Sequence, residues 1–323
     1  MGLGVYTGPD LALLKKSLDE SAFSALYLDR TIDRMLVELM DFQNPLRQLL
    51  RRQPGSGAQY MVRTRTPGTT PGTDVADTDT FTEGTGTPNE RAFVYKTMGT
   101  QGKVSRRVQK TGRLITDLLA EEIEAKAREM RDFEELRMFW GNAFTTSTNQ
   151  ILGLDYQMNN NTGQIVALTN SSVGVDLTTS KFDEAMDKVI TGPPSMIVTS
   201  RAGRRKINAL LQSQQRFNDR IEVPGGFKVL AYNEAPILIS TNITDTMQIS
   251  SGGTVTSLTG GSCTAMFIVD LSQVFVSVLT ELQVMPLARR SSQFEEFDIF
   301  EDLALVTRDF RGVSMVTGWK ARG

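Results

Sequence analysis

"VPGGFKVLAYNEAPILIST", Val223–Thr241, holds a Gly pair, an apolar run, an Asn-Glu-Ala-Pro corner and a second apolar run. Short apolar runs bounded by turn residues read as two strands joined by a turn. Nothing in the stretch is reactive. Just upstream, "TSKFDEAMDKVITGPPSMIVTSRAGRRKINALLQSQQRF" gives a helix, a Pro-Pro turn, a buried strand at "SMIVTS" and a second helix. Ser200 suits the N-cap of that second helix, with Ile207, Leu210 and Leu211 facing inward. Downstream, "TAMFIVDLSQVFVSVLTELQVMPL" (Thr264–Leu287) gives strands with a polar break at Asp270–Gln273. The closing "FDIFEDLALVTRDFRGVSMVTGW" alternates as two more strands joined near Asp309–Gly312. Hairpins and crossovers are mixed, so the fold class is α+β.

The N-terminal part reads differently. Residues 1–53 form a helical arm, with Leu28, Ile32, Met35, Leu36 and Leu39 at helical spacing, stopped at Pro54-Gly55. Its basic residues Arg47, Arg51 and Arg52 read as a solvated helix end; contact with nucleic acid or with a neighbouring subunit is the alternative. "YMVRTRT" (Tyr60–Thr66) and "ERAFVYKTMG" (Glu90–Gly99) read as an outgoing and a returning strand. Between them lies a Thr/Gly-rich connection with the acids Asp74, Asp77, Asp79 and Glu83 and no Lys or Arg. So long a connection is unusual in a compact domain. It is either a disordered insert or a two-stranded flap ordered by lying on another molecule, because an isolated hairpin is marginal in water.

A basic stretch follows, with Lys103, Arg106, Arg107, Lys110 and Arg113. It leads into "TDLLAEEIEAKAREMRDFEELRMFWGN" (Thr116–Asn142), read with its flank as a helix of about 30 residues and about 40 Å. Ile115, Leu119, Ile123, Ala127, Met130, Phe133 and Leu136 or Arg137 follow at spacings of three or four and mark an apolar face, and Glu122–Lys126 and Glu124–Arg128 lace the opposite one.

Composition excludes much chemistry. The 323 residues contain no His and one Cys, Cys263. This removes His-based nucleophile activation, His acid-base catalysis, most catalytic zinc sites and any intrachain disulfide. Cys263, just ahead of an apolar run, reads as a small buried residue. No GxSxG or phosphate-binding GxxxxGK[ST] motif occurs, and Gly2, Gly4 and Gly8 follow no strand, so they make no dinucleotide fingerprint. The acids at 74–83 lack the spacing of a calcium loop. Glu295, Glu296, Asp298, Glu301 and Asp302 alternate with Phe294, Phe297, Ile299 and Phe300, which reads as an amphipathic strand or turn. No catalytic, cofactor-binding or metal-ligating residue is assigned, and no enzyme activity is expected. A net charge of -2 does not suit a coat that condenses nucleic acid by neutralising it. No apolar run approaches the roughly 20 residues of a membrane span, and no secretory signal is evident. Synthesis in the cytoplasm is the expectation.

In its order of parts the chain resembles the major capsid proteins of tailed bacteriophages, with their Hong Kong 97-type capsid fold. The succession that carries the resemblance is the helical arm, the Thr/Gly-rich hairpin, the charged long helix, "MIVTSRAGRRKINALL" with "GGFKVLAYNEAPILIST", its corner at Pro236, and "FIVDLSQ". The resemblance implies an N-terminal arm (1–53), an extended loop (54–110), a peripheral domain with a spine helix (111–180), an axial domain (181–280) and C-terminal strands returning to the peripheral domain (281–323). It implies self-assembly into pentamers and hexamers of an icosahedral or prolate shell around double-stranded DNA. Portal, scaffold and decoration proteins are the implied partners, contact with the DNA is weak and non-specific, and the implied location is the virion, made in a bacterial host. Asp74, Asp77, Asp79, Phe81 and Glu83 of the loop and Arg106, Arg107, Lys110 and Arg113 become candidate intersubunit residues. No Lys lies between Val62 and Tyr95, so no cross-link from the loop tip is expected. The arm is too short for a scaffolding segment, which suggests a separate scaffold or a trimmed chain. An encapsulin-type cargo shell of the same fold is the nearest alternative. A carboxylate- and metal-dependent enzyme and a tail-tube protein are remote ones.

Overall fold

A computed structural model describes residues 44–66, 74, 77, 86–112, 118–144, 149–168, 173–213, 219–223, 227–250, 252–287 and 293–320. Most of the proposed arm therefore lies outside the described residues. Its end is helix α1 (Pro45–Leu49), with Pro at the first helical position, where its missing N–H costs nothing. Residues 51–53, expected as the end of the helical arm, fall instead in strand β1 (Arg51–Pro54), paired in parallel with Phe275–Val278. Buried Leu46 and Leu50 hold the chain down, and Pro54 ends the strand, the Gly55 amide beyond it donating to the Val278 carbonyl at 2.7 Å.

β2 (Gln59–Thr66) and β3 (Thr87–Val94) form an antiparallel hairpin in continuous register, from Gln59 opposite Val94 to Thr66 opposite Thr87. The returning strand expected over Glu90–Gly99 breaks at Tyr95, and β4 (Lys96–Ser105) begins a separate pairing. Then come α2 (Arg106–Gly112) and α3 (Leu118–Trp140), 23 residues and about 35 Å long. The chain leaves α3 through Asn142 in the left-handed region (φ 60°), its amide donating to Gln150 Oε1 at 2.9 Å.

The chain divides into two compact units. Among the described residues, one comprises Met98–Phe133 and Leu282–Glu301. In it β14 (Phe294–Thr307) stands between β4 and β13 (Val274–Pro286). Gly102 lies beneath the Phe297 ring so closely that a Cβ there would sit 2.1 Å from it. The alternation of acids and apolar residues expected at 294–302 is borne out as a strand, with Phe297 and Ile299 buried; Glu301 is buried as well.

The other unit comprises 44–97, 134–281 and 302–320. Its sheet of seven strands runs β5 (Ile165–Ala167), β15 (Val313–Lys320), β12 (Cys263–Val269), β6 (Met196–Thr199), β9 (Ala235–Ile239), β8 (Phe227–Tyr232), β7 (Asp219–Val223). Every residue of β12 is buried, as expected for a strand covered on both faces. On one face Met266 and Ile268 join Ile197, Ile237 and Val316 beneath α5 (Thr179–Asp187) and α6 (Arg201–Ser213). On the other, the ring of Phe267 meets Phe139 at 5.0 Å and Trp140 at 5.5 Å.

The second helix starts where the sequence predicts, the Gly203 amide donating to Ser200 Oγ at 2.9 Å. The corner of the opening stretch differs from expectation: it is Asn233-Glu234, both at positive φ (49° and 67°), while Pro236 lies within β9 opposite Ala231. Two positive φ values are what a tight two-residue hairpin demands, because that turn matches the twist of its strands. Cys263 is fully buried, and burial pushes its thiol pKa up, as an inert core residue requires.

Candidate assembly surfaces

The hairpin is built from alternation. Tyr60, Val62 and Phe93 point to one side and pack with Phe275, Ala304 and Val306; Tyr60 meets Phe275 edge-on at 5.4 Å. Arg91 extends this anchor, its guanidinium 4.0 Å from the Phe310 ring centre and donating to the Arg308 carbonyl at 3.1 Å. Partial burial lowers the Arg91 pKa, and Asp309 offsets this. On the opposite side Met61 and Val94 stay 43% and 44% exposed, next to a cross-strand Arg63–Glu90 pair at 2.8 Å. The base of the hairpin thus belongs to its own chain, and its other face is left with apolar groups in water.

Of the loop acids, Asp74 and Asp77 are exposed, while Asp79, Phe81 and Glu83 lie outside the described residues. Arg106, Arg107 and Lys110 are exposed on α2, with Val108 buried beneath them; Arg113 lies outside the described residues. Lys103 stands 3.6 Å over the ring of Phe294. From Lys96 to Thr116 the chain carries six cations and no acid. α2 itself carries cations and no acid.

Arg47 and Arg52 depart from the sequence reading. Both bind Glu134, which is fully buried: Arg47 through Nε to Oε2, Arg52 through Nη1 to Oε1 at 2.5 Å. Arg52 also reaches Glu281 at 3.1 Å. The next residue, Glu135, accepts from the Arg47 amide at 3.0 Å and from Ser240 Oγ at 2.7 Å. Two charges that sequence reasoning gave to solvent, nucleic acid or a neighbouring subunit are thus committed to a carboxylate pair on α3. The available signal was "EE" set into the apolar end "FEELRMFW" of a helix whose other acids sit among cations. The predicted Glu124–Arg128 pair forms at 2.5 Å, while Lys126 pairs forward with Glu129 at 2.7 Å. The apolar face expected along the whole helix is only half-buried at Leu119, Ile123 and Ala127, and burial is concentrated at Met138, Phe139 and Trp140.

Asp155 was also missed. It is fully buried, one oxygen accepting from Asn159 Nδ2 at 2.9 Å and the other without a hydrogen-bond partner. Burial raises its pKa to about 7, against a smaller opposing effect of Asn159. No helix of the described residues is long and apolar enough to cross a membrane.

This architecture is found in solved shell proteins. The capsid of cyanophage A-1(L) superposes with a TM-score of 0.67 at 11% identity, covering 90% of this chain and 97% of that one. The SrpI encapsulin of Synechococcus elongatus PCC 7942 gives 0.66 at 12%, covering 94% and 97%. A Mycobacterium phage Ogopogo chain gives 0.62 at 13%, covering 92% and 99%. No curated protein sequence matches the chain. The fold is the Hong Kong 97-type capsid fold, in the class of self-assembling shell proteins. Within that class, the model of the SU10 major capsid protein family matches residues 19–320, and the chain belongs to this family of virion capsid proteins.

Proposed function

We propose that copies of this chain close into pentamers and hexamers of an icosahedral or prolate shell around double-stranded DNA, with a structural and not a catalytic role. The hairpin carries this reading. Its base is anchored by Tyr60, Val62, Phe93 and Arg91, its strands extend about 26 Å at eight residues each, and Met61 and Val94 face outward uncovered. A reaching element buries area on a neighbour that the single chain cannot cover, and heterologous contacts of this kind close shells. In this reading 54–110 is the extended loop, 111–180 the peripheral domain, 181–280 the axial domain, and 281–323 returns to the peripheral domain. The acidic loop residues Asp74, Asp77, Asp79 and Glu83, with Phe81, meet Arg106, Arg107, Lys110 and Arg113 of a neighbouring copy. A net charge of -2 leaves the inner wall non-adhesive to DNA that is driven in rather than condensed. Portal, scaffold and decoration proteins are the expected further partners.

Electron microscopy of the purified protein, alone and co-expressed with the products of adjacent genes, tests this. Closed polyhedra or rings of five and six support it; persistent monomers in both conditions overturn it. Likeness to the encapsulin favours a second reading, a cargo shell, which a co-purifying enzyme in place of DNA would establish.

A further inference from the structure

The unit built on the seven-stranded sheet carries opposite charge at two places along that sheet. α6 contains Arg201, Arg204, Arg205 and Lys206 in its first six residues and no acid anywhere. Cations in the first two turns oppose the helix dipole, so local stability does not account for them. One is neutralised within the chain: Lys206 pairs with Asp176 at 2.7 Å, just ahead of α5. At about 100° per residue, Arg204 lies about 160° around the helix from Lys206, on the flank turned away from Asp176. Arg205 is exposed between them.

α5 lies over β5 and β15 and reaches β8 through Phe182, whose ring is 4.5 Å from that of Tyr232; α6 lies over β9, with Gly203 close against Trp319 of β15. An open cleft runs between α5 and the turn Thr162–Gln164, lined by Asp183, Glu184 and Asp187, with Ile190 among its walls. The one Lys in the cleft, Lys188, is tied to the Gly163 carbonyl at 2.6 Å. Asp183 accepts from the Tyr232 hydroxyl, and Glu184 pairs with Lys181 at 2.6 Å, which holds its carboxyl below the usual range and leaves it open to a second cation. Asp187 is exposed, and Ile190 is 68% exposed, the highest value for a large apolar side chain among the described residues.

We infer that the basic flank of α6 (Arg204, Arg205) docks into this acidic cleft (Glu184, Asp187, Ile190) on a second copy of the chain. The inference rests on the shell reading above and locates one contact within it. Two features favour a second copy as the occupant. The two surfaces are complementary in charge, and a head-to-tail contact between unlike surfaces is what generates a ring. Ile190 supplies the apolar centre, and Glu184 and Asp187 the acceptors for two guanidinium groups.

The test uses the full-length chain. Reversal in Arg204→Glu with Arg205→Glu is expected to cut particle yield at least tenfold, and adding Glu184→Lys with Asp187→Lys to restore most of it. Independently, an equimolar mixture of Arg205→Cys and Asp187→Cys chains should give a disulfide-linked dimer on oxidation that neither variant gives alone; Cys263 is buried and adds no background. Wild-type particle yield from the α6 reversal, or no mixed dimer, overturns the contact and leaves the shell reading standing. Normal shells that retain less DNA in the α6 reversal would reassign that flank to a polyanion and equally overturn the contact. A wild-type chain that never forms particles overturns both.

Discussion

Ser240 and Glu135, 105 positions apart, share a buried hydrogen bond of 2.7 Å from Ser240 Oγ to Glu135 Oε1. With Glu134 beside it holding Arg47 and Arg52, the end of α3 fastens the segment 44–54 to the residue that directly follows β9. Removing one partner of a buried pair strands the other, which costs about 3 kcal/mol or more. Glu134→Gln should therefore lower unfolding stability by about that amount in urea titration. Glu281→Gln, whose side chain is 68% exposed, should change it by less than about 1 kcal/mol. Equal effects would show that Glu134 contributes no more than a surface pair.

Glu234 occupies φ 67° in the tight turn between β8 and β9. An L side chain there costs about 1 kcal/mol relative to glycine. Glu234→Gly is expected to raise stability by about 1 kcal/mol, a rise of a few degrees in melting temperature. A fall in melting temperature would mean that the exposed carboxylate contributes more than the backbone strain removes.

Gly102 lies under Phe297 with no room for a methyl group. Gly102→Ala should destabilise by about 1–3 kcal/mol through overpacking, and Phe297→Leu should recover part of that loss when combined with it. Additive losses in the double variant would place the strain elsewhere.

Asp155 gives a pH dependence with a definite sign. Its folded pKa is raised from 3.8 to about 7, so the folded chain holds a proton that the unfolded chain releases. Its contribution is fully present below about pH 4, falls as pH rises toward 7, and is then constant. Three pKa units correspond to ~4 kcal/mol as an upper bound. Asp155→Asn should match wild type near pH 4 and exceed it by up to that amount at pH 8, followed by denaturant titration at each pH. A stability difference independent of pH would show that the carboxyl does not titrate in this range.

Much was legible in advance because it depends on neighbours in sequence. Alternation along Tyr60–Thr66 gave a strand because side chains on a strand point to opposite faces. Ser200 gave a helix start because its hydroxyl lies within reach of the Gly203 amide. Asp309–Gly312 gave a reversal between two alternating runs. Absence of His and a single buried Cys narrowed the chemistry without any structure.

Other features depended on partners distant in the chain. Arg51–Pro54 is a strand because β13, more than 200 residues later, supplies its hydrogen bonds; local sequence continued a helix. Arg47 and Arg52 found Glu134, where a lone basic cluster implied solvent. Asp155 shows no sign in sequence of a raised pKa, since desolvation is set by what folds around it. Sequence alone determined most of the element types among the described residues, the order of parts and the family resemblance, because periodicity and turn chemistry act over a few residues. Tertiary structure alone decided which charges are buried and which apolar groups stay exposed, because burial and charge pairing act through space.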